Sequence, residues 1–196
     1  MEHFFDVGAN IGQTFDKFLL KTNDYDDCKV WCFEPSPRSI GALVETVKRV
    51  TSWPQKDVHR FQVAICPFGL WDKDGTFSFY EKSDALDIYG RENGEGDSFV
   101  KTFLKNNNAP YQICASTVSA ADFINKNIPA GDRITIKIDC EGGEYGILEN
   151  LLARPEALCK IKKFIVEWHQ TEEVYKKDGL IKAYADLGYI FEEWPF

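Results

Sequence analysis

The sequence predicts an α/β fold, with a mainly parallel central sheet and helices on both faces. Two observations carry that reading. Short β-rich apolar runs alternate along the chain with stretches of helical periodicity. Acidic residues also stand where several of those runs end, at Asp6, Glu34, Asp139 and Glu167, which is the rim where open parallel sheets hold ligands. The chain shows neither internal repeats nor a linker, so residues 1–196 are read as one domain.

The elements follow in order. His3–Val7 reads as a buried strand. Asn10 is placed as a helix N-cap with Gln13 three residues on, a capping-box arrangement, and Ile11, Phe15, Phe18 and Leu19 mark one helical face. Lys29–Phe33 is a second strand closed by Glu34-Pro35. Ser36 can cap and Pro37 suits the first turn of the next helix, whose buried stripe is Ile40, Leu43, Val44 and Val47. Val58–Ile65 is a third strand. Gly69–Gly75 reads as a turn, and Thr76–Tyr80 alternates like a half-exposed strand, expected to pair antiparallel with the third.

Residues 83–108 are rich in Gly, Asn, Asp and Glu. That length suits a functional loop or lid that sets substrate specificity, with a solvated surface insertion as the other reading. A short helix is expected at Phe99–Leu104. Tyr111–Val118 is a strand, Ala120–Lys126 a helix, and Arg133–Ile138 a strand that ends in Asp139-Cys140-Glu141-Gly142-Gly143. A helix over Glu144–Ala153 stops at Pro155. Lys163–Glu167 is a strand, Glu172–Leu187 a helix with Gly188 at C′, and Tyr189–Glu193 a last strand.

Composition narrows the class. Apolar residues make up 44% and aromatics 14%, a globular balance, and the net charge of -8 argues against nucleic acid or anionic membrane as partners. No apolar run approaches the roughly 18–20 residues that cross a bilayer. The N-terminus lacks a basic region followed by an apolar stretch, so no signal peptide is expected. Six cysteines lie scattered without a C-x-x-C pair, which reads as buried reduced thiols in a cytoplasmic protein.

The first turn, FDVGANIG, tests two nucleotide motifs. A dinucleotide fingerprint needs G-x-G-x-x-G so that a pyrophosphate can approach the backbone. Registered on Gly8, the second and third glycines would fall at Asn10 and Gln13. The P-loop pattern fails as well, because no Gly-Lys-Ser/Thr follows. What remains is D-x-G-x-N-x-G, a turn that lets backbone approach a ligand without a phosphate cradle. Glu34 ends the second strand, where a carboxylate accepts both hydroxyls of a ribose. That suits NAD and S-adenosylmethionine alike, and a charge at the following helix start is the structural alternative.

In order and spacing, FDVGANIG, CFEPSP, VAI, STVSAADFI, IKIDCEGGEYGIL and IVEWH resemble the FkbM-type methyltransferases, from about residue 3 to residue 170. The resemblance implies a class I S-adenosyl-L-methionine-dependent enzyme with a seven-stranded Rossmann-like sheet. It also implies O-methylation of a hydroxyl on a small molecule or saccharide. By that likeness Asp6, Gly8, Ala9, Asn10 and Gly12 line the methionine part of the donor. Glu34 and Pro35 sit at the ribose, Ala64 and Ile65 face the adenine, and Asp139 and Glu141 stand beside the methyl. Set against the family, the first strand starts at residue 3 and the chain ends just past Tyr189–Glu193, where a final antiparallel strand would follow. The expectation is a minimal member or one that completes its pocket through a partner subunit, as a homo-oligomer.

Transfer to a hydroxyl needs the oxygen in line with the methyl and a group that takes its proton. Asp139, Glu141, Glu167 and His169 are the catalytic candidates. Asp139 meets a ligand or caps the following helix; Glu144 is the better helix-start charge. Glu167 contacts substrate or forms an ion pair with a lysine, and His169 is a base or a structural histidine. Asp139, Glu141, Glu167 and His169 offer oxygen and nitrogen donors suited to magnesium or manganese, but no tight ligand spacing supports a metal and none is assigned. The competing functions are a non-catalytic donor-binding or interaction module and an NAD-binding oxidoreductase.

Overall fold

Six strands lie side by side, every neighbouring pair parallel. The structure, a computed structural model, describes residues 1–15, 17, 28–52, 62–81, 97–99, 111–171 and 173–193. In chain order the strands are β1 (Glu2–Val7), β2 (Cys28–Phe33), β3 (Gln62–Cys66), β4 (Gly69–Trp71), β5 (Gly75–Glu81), β6 (Tyr111–Ser119), β7 (Arg133–Ile138), β8 (Ile161–Val166) and β9 (Phe191–Glu193). The α-helices with full bounds are α1 (Pro37–Thr51), α2 (Ala120–Asn127), α3 (Glu144–Leu152), α4 (Pro155–Leu158) and α5 (Lys177–Asp186). The main sheet runs β3-β2-β1-β7-β8-β9. The order reverses between β1 and β7, the kind of position where such sheets hold ligands.

Strand alternation makes two cores. Phe4, Val30 and Cys32 point to one face and pack with Phe15, Leu43 and Val50. Phe5, Val7, Trp31, Phe33 and the isoleucines of β7 point to the other, under α2 and α3. There Phe123 of α2 stands edge-on to Phe33 and Trp31, with centroids 5.1 and 5.3 Å away, the geometry that aromatic quadrupoles favour. Covering both faces is what near-continuous apolar strands require.

Several expectations are corrected. Gly69–Trp71 is a strand, and Thr76–Tyr80 belongs to β5, which pairs antiparallel with β6, not with the third strand. β4 pairs with the same β6 in parallel, forming a second sheet, β4-β6-β5. The intervening turn is locked onto β6: Thr117 donates its hydroxyl to the Lys73 carbonyl at 2.9 Å, and Asp74 Oδ1 accepts the Ser119 N–H at 2.7 Å. Asn10 is not an extended N-cap, since its φ is +48° and its N–H is taken by Glu34. Ser36 does precede α1 but gives its hydroxyl to Glu81 instead of capping. The main sheet has six strands among the described residues rather than seven. Cys28, Cys32 and Cys66 are buried and in no disulfide, whereas Cys114 and Cys159 are exposed. Residues 58–61, Phe18, Leu19, Glu172 and most of the 83–108 segment, with 100–104 of the short helix expected there, lie outside the described residues.

Candidate functional site

The site begins with strand register. β1 and β7 pair so that Asp6 lies beside Lys137, on the same face of the sheet. Lys137 is buried, and its Nζ lies 3.1 Å from both Asp6 Oδ1 and Asp139 Oδ2 while donating to the Gly8 carbonyl at 3.2 Å. Burial by itself would push this amine down, but the two carboxylates win and hold it protonated, above the ordinary lysine range. One buried cation therefore joins the ends of β1 and β7.

The same junction explains the first glycines. Gly8 has φ +79°, and a Cβ there would fall 1.8 Å from the Asp139 carbonyl oxygen. Only glycine lets the two chain segments close, and Asp139 then donates its N–H to the Val7 carbonyl at 3.1 Å. Gly12, at φ +92°, admits α1 instead: a Cβ would lie 2.9 Å from Thr46 Cγ2 and 3.1 Å from Leu43 Cδ1. Both glycines thus serve close approach by the protein's own atoms.

Glu34 is buried at the end of β2. Its Oε1 accepts the Ser36 N–H at 2.7 Å and its Oε2 the Asn10 N–H at 2.8 Å. Burial pushes the carboxyl up to about 7, against those two N–H donors. Each oxygen keeps a second lone pair, so the group can still accept hydroxyls from a ligand.

Across the rim, His169 gathers the other acids. Its backbone N–H donates to Glu144 Oε1 at 2.7 Å and its carbonyl accepts the Tyr145 hydroxyl at 2.8 Å, so the first turn of α3 clamps it. Nδ1 lies 3.4 Å from Glu144 Oε1, and Glu144 is fully buried. Nε2 faces the opposite way, 3.3 Å from Glu141 Oε2, 3.7 Å from Glu167 Oε1 and 3.8 Å from Asp139 Oδ1. Burial would lower the imidazole, but Glu144, Glu141 and Asp139 push it up to about 9. Glu141 holds φ +54°, a left-handed conformation costing a non-glycine residue about 1–2 kcal/mol. Glu167 is the most exposed of the group, and partial burial followed by the Asp139 charge raises its carboxyl.

These rims border a cavity of about 370 Å³, within the range of roughly 300–1,000 Å³ for small-molecule sites. Its apolar wall is Leu70, Trp71, Phe79 and Phe99, with Phe99 4.7 Å from Trp71 and 4.8 Å from Phe79 between ring centroids. Residues 97–99 are tied in place. Arg38 clasps both oxygens of Asp97, Ser98 exchanges two backbone hydrogen bonds with Tyr80, and the Ser98 hydroxyl donates to the Glu141 carbonyl.

Of the residues singled out from sequence, Gly8, Asn10, Glu34, Pro35, Asp139, Glu141 and Glu167 line the cavity. Asp6 lies beneath it on Lys137, and His169 stands behind the three carboxylates. Ala9, Gly12, Ala64 and Ile65 do not line it: Ala9 packs in the core, Gly12 on α1, and Ala64 and Ile65 lie inside β3 against the two cores. The apolar wall of the cavity is made instead by Leu70, Trp71, Phe79 and Phe99. Sequence reading also missed Lys137 and Asp97. Lys137 carried a signal, a lysine inside the apolar run ITIKI, since such a residue is buried only when paired. Asp97 carried none.

A parallel α/β sheet with a cavity at the carboxyl ends of its strands defines a Rossmann-like fold. The profile of the methyltransferase FkbM domain matches residues 6–191, so the chain belongs to the FkbM methyltransferase family. No curated protein and no solved structure gives a significant match. For a methyl donor of the sulfonium type the cavity is chemically suited. Carboxylates outnumber lysines in its lining, the turn at 8–12 offers no pyrophosphate cradle, and the aromatic wall suits a flat base.

Proposed function

We propose that this methyltransferase uses S-adenosyl-L-methionine and methylates a hydroxyl on a small molecule or saccharide. The observation that carries the reading is the charge of the cavity: Glu34, Asp97, Asp139, Glu141 and Glu167 line it against Lys17 and Lys137. Such a lining attracts a sulfonium and repels the pyrophosphate of NAD. When bound, S-adenosyl-L-methionine supplies an electrophilic methyl on a positively charged sulfur. Glu34, held by two backbone N–H groups, accepts the ribose hydroxyls, and Leu70, Trp71, Phe79 and Phe99 cover the base. Asp139 and Glu141 stand beside the methyl. Glu167, the most exposed carboxylate of the rim, accepts the proton that the acceptor hydroxyl loses as its oxygen takes the methyl. His169 positions Glu141 and Glu167 instead of taking the proton itself.

The test is calorimetric titration of the full chain with S-adenosyl-L-methionine, its demethylated product and NAD. The reading expects one site that binds the first two and ignores the third. Binding of NAD alone, or of none of the three by folded protein, would sink it.

A further inference from the structure

The side chains around His169 are arranged as more than an ion-pair cluster. Asp139, Glu141 and His169 each bring one donor atom to within 4.8 Å of the others. From Nε2 to the carboxylate oxygens the separations are 3.3 Å for Glu141 and 3.8 Å for Asp139. Donors that each stand about 2.0–2.2 Å from a common ion lie roughly 3–4 Å apart, so little movement would seat one. The imidazole supplies a separate indication. Its Nδ1 edge is turned to the fully buried Glu144, which also takes the His169 N–H, leaving Nε2 for the carboxylates. A carboxylate behind the far nitrogen is the usual support of a metal-bound histidine, because it fixes the tautomer and the ring plane. Tyr145 holds the same residue through its carbonyl. An entry path exists as well, since Asp139 and Glu141 both line the cavity.

We propose that Asp139, Glu141 and His169 Nε2 bind a divalent cation of the magnesium–manganese class, positioned by Glu144, at the wall of the cavity. Two carboxylates and one imidazole leave coordination positions open to water or to a hydroxyl. The donor set, rich in oxygen, favours these ions over the soft metals that thiolates select. If the methyl-transfer reading holds, the ion is placed to hold the acceptor oxygen and ease loss of its proton. That consequence rests on the reading; the site does not.

The experiment uses manganese(II) and the full chain without any methyl donor, so its result is independent of whether S-adenosyl-L-methionine binds. Loss of the free-ion electron paramagnetic resonance signal counts bound manganese, and nitrogen coupling on the bound ion reports the imidazole. One manganese per chain is expected, displaced by magnesium and carrying nitrogen coupling. His169→Gln should abolish the coupling and weaken binding about tenfold or more. Glu141→Gln, at a partly exposed position, should weaken it similarly and serves if the histidine variant fails to fold. Glu34→Gln should bind manganese as the wild type does. Absence of binding by folded protein, bound manganese without nitrogen coupling, or wild-type affinity in both His169→Gln and Glu141→Gln would overturn the site.

Discussion

The two ends of the rim solve the same problem differently. Glu34 at the end of β2 is held by neutral donors, the N–H groups of Asn10 and Ser36. Asp139, Glu141 and Glu167, beyond β7 and β8, are held by charges, from Lys137 on one side and His169 on the other. Backbone donors set a carboxylate's position without neutralising it, which suits recognition of uncharged hydroxyls. Charge-held carboxylates respond to any new cation or lost proton, which suits chemistry. The difference teaches where binding and turnover should separate under mutation.

Glu167→Gln probes the charged end most severely. Removing a positioned base costs about 10²–10⁴-fold in turnover, and steady-state kinetics should show that loss with donor affinity unchanged. A parallel loss of donor affinity would blur the distinction. Lys137→Met breaks the link between the ends. It leaves Asp6 and Asp139 facing each other without their buried cation, and removing one partner of such a pair costs roughly 3–5 kcal/mol. Urea unfolding measures this, with Lys176→Met as the comparison. Lys176 bridges Glu149 and Glu173 near the surface, so its loss should cost no more than about 1 kcal/mol.

Glu34→Gln probes the neutral end. A carboxamide presents an NH₂ to one of the two backbone N–H donors, and the lost charged hydrogen bonds should weaken donor binding by about 10- to 100-fold, or 1.4–2.8 kcal/mol. The smallest expected effect is on pH dependence. The Glu34 carboxyl is raised from 4.5 to about 7 in the folded protein. Its contribution to stability is therefore fully present below 4.5 and is lost as pH rises through about 7. Donor binding runs the other way, because the ribose needs the ionised carboxylate. Affinity should rise severalfold as pH climbs through that same value, with proton release on binding, and both trends should vanish in Glu34→Gln.

Much of this was legible in the sequence, for reasons that differ by residue. Buried strands such as β1 and β7 announce themselves because both faces are covered, leaving apolar runs that end in acids. Glu34 and Asp139 were legible for that reason, as was Pro37 at the start of α1. Pairing was not. β5 looked like a partner of β3 because they are near in sequence, whereas the turn at Asp72–Asp74 is bonded to β6. Gly8 was read as making room for a ligand, but the atom it makes room for is the Asp139 carbonyl, which register alone brings there. Asn10 fits a capping pattern by residue type, yet its left-handed backbone serves Glu34 instead. The gathering of Glu141 and His169 across two helices and a strand leaves no local spacing to read.

Donor titration of the wild type and Glu34→Gln at pH 8, side by side, tests the central claim most directly. The account predicts a single S-adenosyl-L-methionine site in the wild type and binding at least about tenfold weaker in the folded variant. Equal affinity in the two proteins, or no binding by either, would contradict it.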